Sequence, residues 1–291
     1  MDASSAPRRN AAGLRRDLEL LQALGSPEAE ESGGLGVVRL AEIVGRDKGQ
    51  VSRTLATLAE AGLVARDGQT LTYRLGYQLY ALAARTLESR LVREAVPFLR
   101  QVVSATHETA HLCVLRGDSV LTLSSQLSEH AFRGIAWEGV SVAAWLTSAG
   151  RVLISDWSDS DVRAWYDRHG QDRPVTSPVA PAVTGESLPT APTELSGTPV
   201  ITSYESFIRE IGRIRRRGYA TVDEEFEAGV VGVSAPVFDF RGSIVAAINV
   251  SAPKARLGGH LEPAGRLVAQ IAGELSTRLG ADSSRRSTPS P

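Results

Sequence analysis

The 291-residue sequence contains a single cysteine, Cys113, and only two lysines, Lys48 and Lys254. One cysteine excludes an intrachain disulfide and suits a reducing compartment. No run of about 18 or more apolar residues is present, so a helical membrane span is not expected. Met1–Asn10 mixes Ala, Ser, Arg and Pro with no apolar stretch behind it. That is not a secretory signal, and the expected location is cytoplasmic, with no membrane partner. There is no basic surplus either: the formal net charge is −1, which argues against a protein that simply coats nucleic acid. G-x-S-x-G, Walker A and G-x-G-x-x-G patterns are missing, so neither a standard nucleophile nor a nucleotide cofactor is expected. No internal repeat is visible. What remains is a chain with 42% hydrophobic and 22% charged residues, enough for a packed core, and a length suited to one large domain or two ordinary ones.

Residues 1–12 read as a flexible arm. Leu14, Leu18, Leu21 and Leu24 share one helical face, and Gly25-Ser26-Pro27 stops that helix before an acidic, Gly-rich loop to Gly36. Val38, Leu40, Ile43 and Val44 predict a short helix ending at Gly45. Asp47-Lys48-Gly49-Gln50 is a cap signal for a further helix, with Val51, Leu55 and Leu58 on its inner stripe. Val64 to Leu75 predicts a hairpin turning at Asp67-Gly68. Residues 77–106 read as largely helical with a break near Pro97. His111–Gln126 reads as two β runs about Gly117-Asp118. Val140–Ser155 and Ser158–His169 read as helical, and residues 171–202, rich in Pro, Thr, Ser and Gly, as an irregular insertion. Thr202-x-x-Glu205 suggests a capping box for a helix through Arg217. Gly218–Asp223, Val230–Phe238 and Ser243–Ser251 read as strands, Glu262–Leu279 as a closing helix, and residues 281–291 as a disordered tail.

Helix, helix, turn, helix and hairpin within about 65 residues is the layout of a winged helix-turn-helix. The helix after Asp47 has two faces. Val51, Leu55, Leu58 and Leu63 pack inward, leaving Lys48, Gln50, Ser52, Arg53 and Thr57 for a DNA groove and its rims. Gln can pair with adenine edges and Arg with guanine, and Lys48 adds charge where backbone N–H groups already favour phosphate. Arg66 and Arg74 on the hairpin suit backbone or minor-groove contact. The bland alternative is a small helical domain with a solvated polar face.

The stretch Gly45–Val64, GRDKGQVSRTLATLAEAGLV, resembles the recognition-helix block of the IclR family of bacterial regulators. Arg213–Val250, RIRRRGYATVDEEFEAGVVGVSAPVFDFRGSIVAAINV, is similar to that family's C-terminal signature, and Gly139–Arg151, GVSVAAWLTSAGR, to its helix beside the effector pocket. The resemblance spans Leu14 to Leu279 apart from the Pro-rich insertion. It implies an α+β chain: a winged helix-turn-helix DNA-binding domain over 13–76, a linker helix over 77–89 contributing to pairing, and a GAF-like effector-binding domain over 90–280, an antiparallel sheet flanked by helices. It further implies a regulator, with repression the expected output, that binds double-stranded operator DNA as a homodimer or homotetramer. A small organic effector, a carboxylate or an aromatic catabolite, would modulate it. Carried over position by position, Trp145, Leu146, Thr147, Asp223, Gly232 and Ser251 are the implied effector contacts. Gly49 and Gln50 stand where the family more often has Ser and Thr. Gly232 stands where many members have cysteine, and Trp145 where many have histidine. The loss of a thiol and an imidazole, with an indole gained, suggests an effector larger or more apolar than a two- or three-carbon acid.

His107-Glu108-Thr109-Ala110-His111 matches H-E-x-x-H, the pattern of zinc hydrolases. That chemistry needs one helix so that both histidines face one metal. The β-like residues beginning at His111 separate the two Cα atoms by up to about 13–14 Å if the segment is extended. A zinc-dependent hydrolase using His107, Glu108 and His111 is therefore the lesser reading, beside a small-molecule sensor that does not bind DNA; neither metal nor enzymatic activity is expected. Arg213 and Arg215–Arg217 close a helix, where basic residues favour the helix dipole.

Overall fold

A computed structural model describes residues 9–130, 141–170, 175–176 and 200–282. The described chain divides into two compact units, with the boundary between Ser89 and Arg90.

The first unit opens with helix α1 (Arg9–Leu24), so the segment expected to be a flexible arm is helical from Arg9 onward, residues 1–8 lying outside the described part. Gly25-Ser26-Pro27 ends α1 as expected but immediately starts α2 (Pro27–Glu31), where a loop was expected. The cause is local: the Ser26 hydroxyl accepts from the Ala29 N–H at 3.3 Å, and Pro27 occupies the first turn, where a missing N–H costs nothing. Next come α3 (Val37–Ile43) and α4 (Lys48–Glu60), the latter capped by Asp47, whose Oδ1 accepts from the Gln50 N–H at 3.1 Å. Strands β1 (Val64–Arg66) and β2 (Tyr73–Leu75) pair antiparallel with Ala65 opposite Arg74. Their connection spans residues 67–72, longer than the tight Asp67-Gly68 turn expected. Asp67 holds it by accepting from the Gln69 and Thr70 N–H groups, both at 2.8 Å. Gly76 then passes so close to the end of α4 that a Cβ on it would sit 2.2 Å from the Gly62 carbonyl oxygen. Leu20, Leu40, Val51, Leu55 and Tyr73 form this unit's core.

Two helices follow, α5 (Tyr77–Ala83) and α6 (Leu87–Thr106). The break lies at residues 84–86, not near Pro97, which sits inside α6. Thr86 starts the new helix by accepting from the Ser89 N–H at 3.2 Å. Burial of Ala95, Leu99 and Val102 under the sheet outweighs the roughly 3 kcal/mol that an interior proline costs.

The second unit contains β3 (Thr109–Arg116), β4 (Ser119–Gln126), β5 (Ser141–Ala143), α7 (Ser148–Leu153), α8 (Asp159–His169), β6 (Val175–Thr176), α9 (Tyr204–Arg217), β7 (Ala220–Asp223), β8 (Val230–Phe238), β9 (Ile244–Pro253), α10 (Lys254–Leu257) and α11 (Leu261–Arg278). Among the described residues the strands form one antiparallel sheet in the order β6-β5-β4-β3-β9-β8-β7. The segment expected to be helical over 140–155 is instead β5, a 3₁₀ turn (Ala144–Leu146) and the short α7, with the Thr147 hydroxyl capping Gly150 N–H at 3.0 Å. The capping box of α9 is formed by Ser203 and Ser206, one residue beyond the Thr202/Glu205 pair expected. Of the Pro-rich insertion, 171–174 and 177–199 lie outside the described residues, and Val175–Thr176 supplies β6. In the tail, 283–291 also lie outside them.

Strand alternation divides the sheet into two faces. Leu112, Val114, Val231, Val233, Ala235, Ile248 and Val250 point toward α6 and α11, packing on Leu99, Val102, Val268, Ile271 and Leu275. The opposite face carries His111, Cys113, Gly232, Ser234, Asn249 and Ser251 and looks toward α7. Behind α7 a second core joins Leu146, Val152, Trp165, Phe207, Ile211 and Ile214.

Candidate DNA-reading helix and effector cavity

On α4, Val51 and Leu55 are fully buried while Lys48, Gln50, Ser52, Arg53 and Thr57 are exposed. The Thr57 hydroxyl donates to the Arg53 carbonyl at 3.3 Å. Among the described residues, the side chains of Lys48, Gln50, Ser52 and Arg53 have no hydrogen-bond or ion-pair partner within the chain. Two other arginines of this unit are engaged: Arg46 pairs with Asp17 at 2.9 Å and Arg39 with Glu28 at 2.7 Å. The cations on α4 therefore remain available to an external anion. On the hairpin, Arg66 and Arg74 are both exposed, and the Arg66 guanidinium carbon lies 5.7 Å from the Tyr73 ring centroid. Backbone N–H donation by Thr70 and Gln69 holds the Asp67 carboxyl below its usual range, so the turn keeps a fixed negative charge between the two arginines.

In the second unit, a cavity of about 520 Å³ lies between the sheet face, the start of α7 and the segment 226–229. Strand register builds a polar row across its floor: Ser234 lies opposite Asn249, Asn249 opposite His111, and His111 opposite Ser125. Ser148 on α7 joins the row, its Oγ 2.8 Å from Ser234 Oγ, and Asn249 Nδ2 donates to Ser234 Oγ at 2.9 Å. Ser251 Oγ donates to Asn249 Oδ1 at 3.0 Å. His111 Nδ1 is 2.9 Å from Ser125 Oγ. Burial pushes His111 down to about 4 and Cys113 up to about 12, so both line the cavity in neutral form. Glu108 and Arg256 close one end, with Nε–Oε1 at 2.5 Å and Nη2–Oε2 at 2.7 Å.

Of the implied effector contacts, Thr147, Gly232 and Ser251 line this cavity, whereas Trp145, Leu146 and Asp223 do not. Trp145 and Leu146 are buried in the second core, so the indole adds nothing to the cavity wall. Asp223 sits at the exposed end of β7, 2.9 Å from Lys254 Nζ. A Cβ on Gly232 would lie 3.0 Å from Val222 Cγ2 and 3.3 Å from Ser148 Oγ, so a side chain there would press directly on the polar row. The segment 224–229 is anchored from behind by Glu225, whose carboxylate meets Arg151 at 3.1 and 2.6 Å, while Arg151 Nε donates to the Trp145 carbonyl at 3.0 Å. Sequence reasoning missed His111, Asn249, Ser148 and Arg256 as cavity residues. One signal was available: in β3 the less apolar positions Thr109, His111 and Cys113 alternate with Ala110, Leu112 and Val114.

The H-E-x-x-H segment does not form a metal site. Helix α6 ends at Thr106, His107 has φ 59°, and Thr109 onward is strand. Glu108 is held by Arg256. Among the described residues no group of three or more His, Cys, Asp or Glu side chains could hold an ion. Nor, among them, is any helix long and apolar enough to cross a membrane. The arginines closing α9 are engaged locally: Arg213 and Arg217 with Glu210, and Arg215 with Asp159.

Residues 84–177 and 185–277 match the family model described as bacterial transcriptional regulator IclR C-terminal. Residues 14–77 match a second family, HVO_A0114. The HTH-type transcriptional regulator KdgR of Escherichia coli is 30% identical over 238 residues, covering 81% of this chain and 80% of its own length. The Thermotoga maritima IclR crystal structure superimposes with a TM-score of 0.67 at 23% identity, covering 93% of this chain and 99% of the other. An IclR homologue from Microbacterium hydrocarbonoxydans, complexed with 4-hydroxybenzoate, superimposes with a TM-score of 0.72 at 19% identity, covering 91% and 98%. With the family model covering more than half of its length, the chain belongs to the IclR family of transcription regulators, DNA-binding proteins that carry a C-terminal effector-binding domain.

Proposed function

We propose that α4 is the helix that enters the major groove of an operator, with Arg53 and Gln50 reading base edges and Lys48, Ser52, Thr57, Arg66 and Arg74 holding the backbone. The observation that carries this reading is the contrast on α4: a fully buried Val51/Leu55 stripe opposite a polar face whose two cations have no partner among the described residues. Residues 13–76 act as the DNA-binding domain, 77–89 as the linker and 90–280 as the effector domain.

The DNA-binding units work as a pair, in a homodimer or a dimer of dimers. Tyr77, Tyr80 and Leu87, exposed by 78, 79 and 84%, supply apolar surface on the linker for such pairing. The effector binds in the cavity beneath α7, and repression relieved by the effector is the output. Of the two effector classes expected, the cavity favours the aromatic one. Phe226, Val120, Val142 and Val222 give it apolar walls, and its volume exceeds what a two- or three-carbon acid fills. Coupling of about 1–3 kcal/mol between effector and DNA would change operator affinity several-fold to about a hundredfold. The test is selection of bound duplexes from a random pool by the purified full-length protein. The expected product is a two-fold symmetric site whose half-sites lie about one or two helical turns apart; recovery of unenriched sequence would overturn the reading.

A further inference from the structure

We infer that the cavity of this chain takes an uncharged aromatic ligand bearing a hydroxyl or carboxamide and discriminates against carboxylates, and that Glu108 is the residue setting this selection. The inference rests on the cavity being the effector site. A carboxylate ligand needs a cation or a set of converging donors to replace its hydration. Among the described residues lining the cavity, the only permanent cation is Arg256, and a resident carboxylate already occupies it through two parallel hydrogen bonds of 2.5 and 2.7 Å. Glu108 is not a side chain that swings away: it is 4% exposed and held between the end of α6 at Thr106 and the start of β3 at Thr109. If a ligand carboxylate drew Arg256 off, Glu108 would remain buried and charged without a partner. Glu227 also lines the cavity, so its carboxylates outnumber its cations.

What the cavity does offer is neutral. The His111 imidazole has one nitrogen engaged by Ser125 and, among the described residues, no partner on the other. Ser251 and Thr122 add hydroxyls on the same sheet face. A phenolic hydroxyl or a carboxamide can donate to or accept from each of these groups, so it is matched in either imidazole tautomer. The walls of Phe226, Val120 and Val142 accept an aromatic ring.

Calorimetric titration of the full-length protein with two matched pairs tests this: 4-hydroxybenzamide against 4-hydroxybenzoate, and phenylacetamide against phenylacetate. The amide of at least one pair is expected to bind about tenfold or more tighter than its acid. Glu108→Gln is expected to reverse that order by releasing Arg256 to the acid, and Arg256→Gln is expected to leave the acid weak. Tighter binding of the acids by the wild type, or no binding of any of the four, overturns the inference, and neither result depends on a variant folding. Gly232→Leu, which fills the cavity beside Val222 and Ser148, separates the two levels of the argument. If an amide binds and this variant does not weaken it, the cavity is not the effector site. If the variant abolishes binding but the acids are preferred, the site stands and the selection by Glu108 fails.

Discussion

Replacing Arg151 with methionine should destabilise the effector-binding unit by about 3–5 kcal/mol, the usual cost of removing one partner of a buried ion pair. The two side chains are 1 and 6% exposed. Arg151→Met leaves Glu225 out of water with, among the described residues, only the Val200 N–H as another donor, at 3.4 Å. It also leaves the Trp145 carbonyl without its 3.0 Å donor. In domains of about 150–250 residues, each kcal/mol moves Tm by about 2–4 °C, so the expected fall is about 6–20 °C. Arg151→Met/Glu225→Leu, which removes both charges, should recover most of the loss, because two apolar side chains of similar volume replace a costly pair. Tryptophan fluorescence during urea or thermal unfolding isolates the effect, since Trp137, Trp145, Trp157 and Trp165 all lie beyond residue 90. A single-variant cost below about 1 kcal/mol, or a double variant no better than the single one, would refute the reasoning.

Two further outcomes can be read on the same fluorescence signal. His111 is held down to about 4 by burial, against 6.5 ordinarily. Between those values the unfolded chain binds a proton that the native chain does not, so this stability is full above about pH 6.5, falls with acidification and levels off below about pH 4. The loss between pH 7 and 5 should be about 2 kcal/mol, and His111→Asn should lack that component; parallel pH profiles for the two proteins would contradict it. Gly150→Ala should cost about 2–3 kcal/mol or more, because the added Cβ would sit 2.1 Å from the Ala144 carbonyl oxygen and 2.4 Å from its Cα, backbone that cannot step aside; a neutral substitution would contradict the packing of α7 on the preceding turn.

The parts of the molecule legible in the sequence are those written in local pattern. The Val51/Leu55 stripe, the Asp47 cap and the apolar runs of β8 and β9 each depend on neighbours a few residues away, and the helix and both strands are present as expected. The break between α5 and α6 is not legible at Pro97 because the capping hydrogen bond of Thr86 starts the second helix, while the packing that tolerates Pro97 involves residues more than a hundred positions away. The cavity was only partly legible for the same reason. Glu108 and Arg256 meet across 148 positions and Ser148 and Asn249 across 101, brought together by strand register and by the packing of α7. Family resemblance pointed to Thr147, which lines the cavity, but could not tell which neighbouring side chains turn inward. Trp145 and Leu146 turn toward the second core instead.

The central claim is that α4 reads DNA through Arg53. Its most direct test is a gel-shift comparison of wild type and Arg53→Ala on the site recovered from a random duplex pool, at one fixed salt concentration. A bidentate base contact is worth about 1–3 kcal/mol. The expected result is therefore a loss of roughly 5- to 150-fold on the selected site with little change on unrelated duplex. Equal affinity of the two proteins for the selected site would contradict the account.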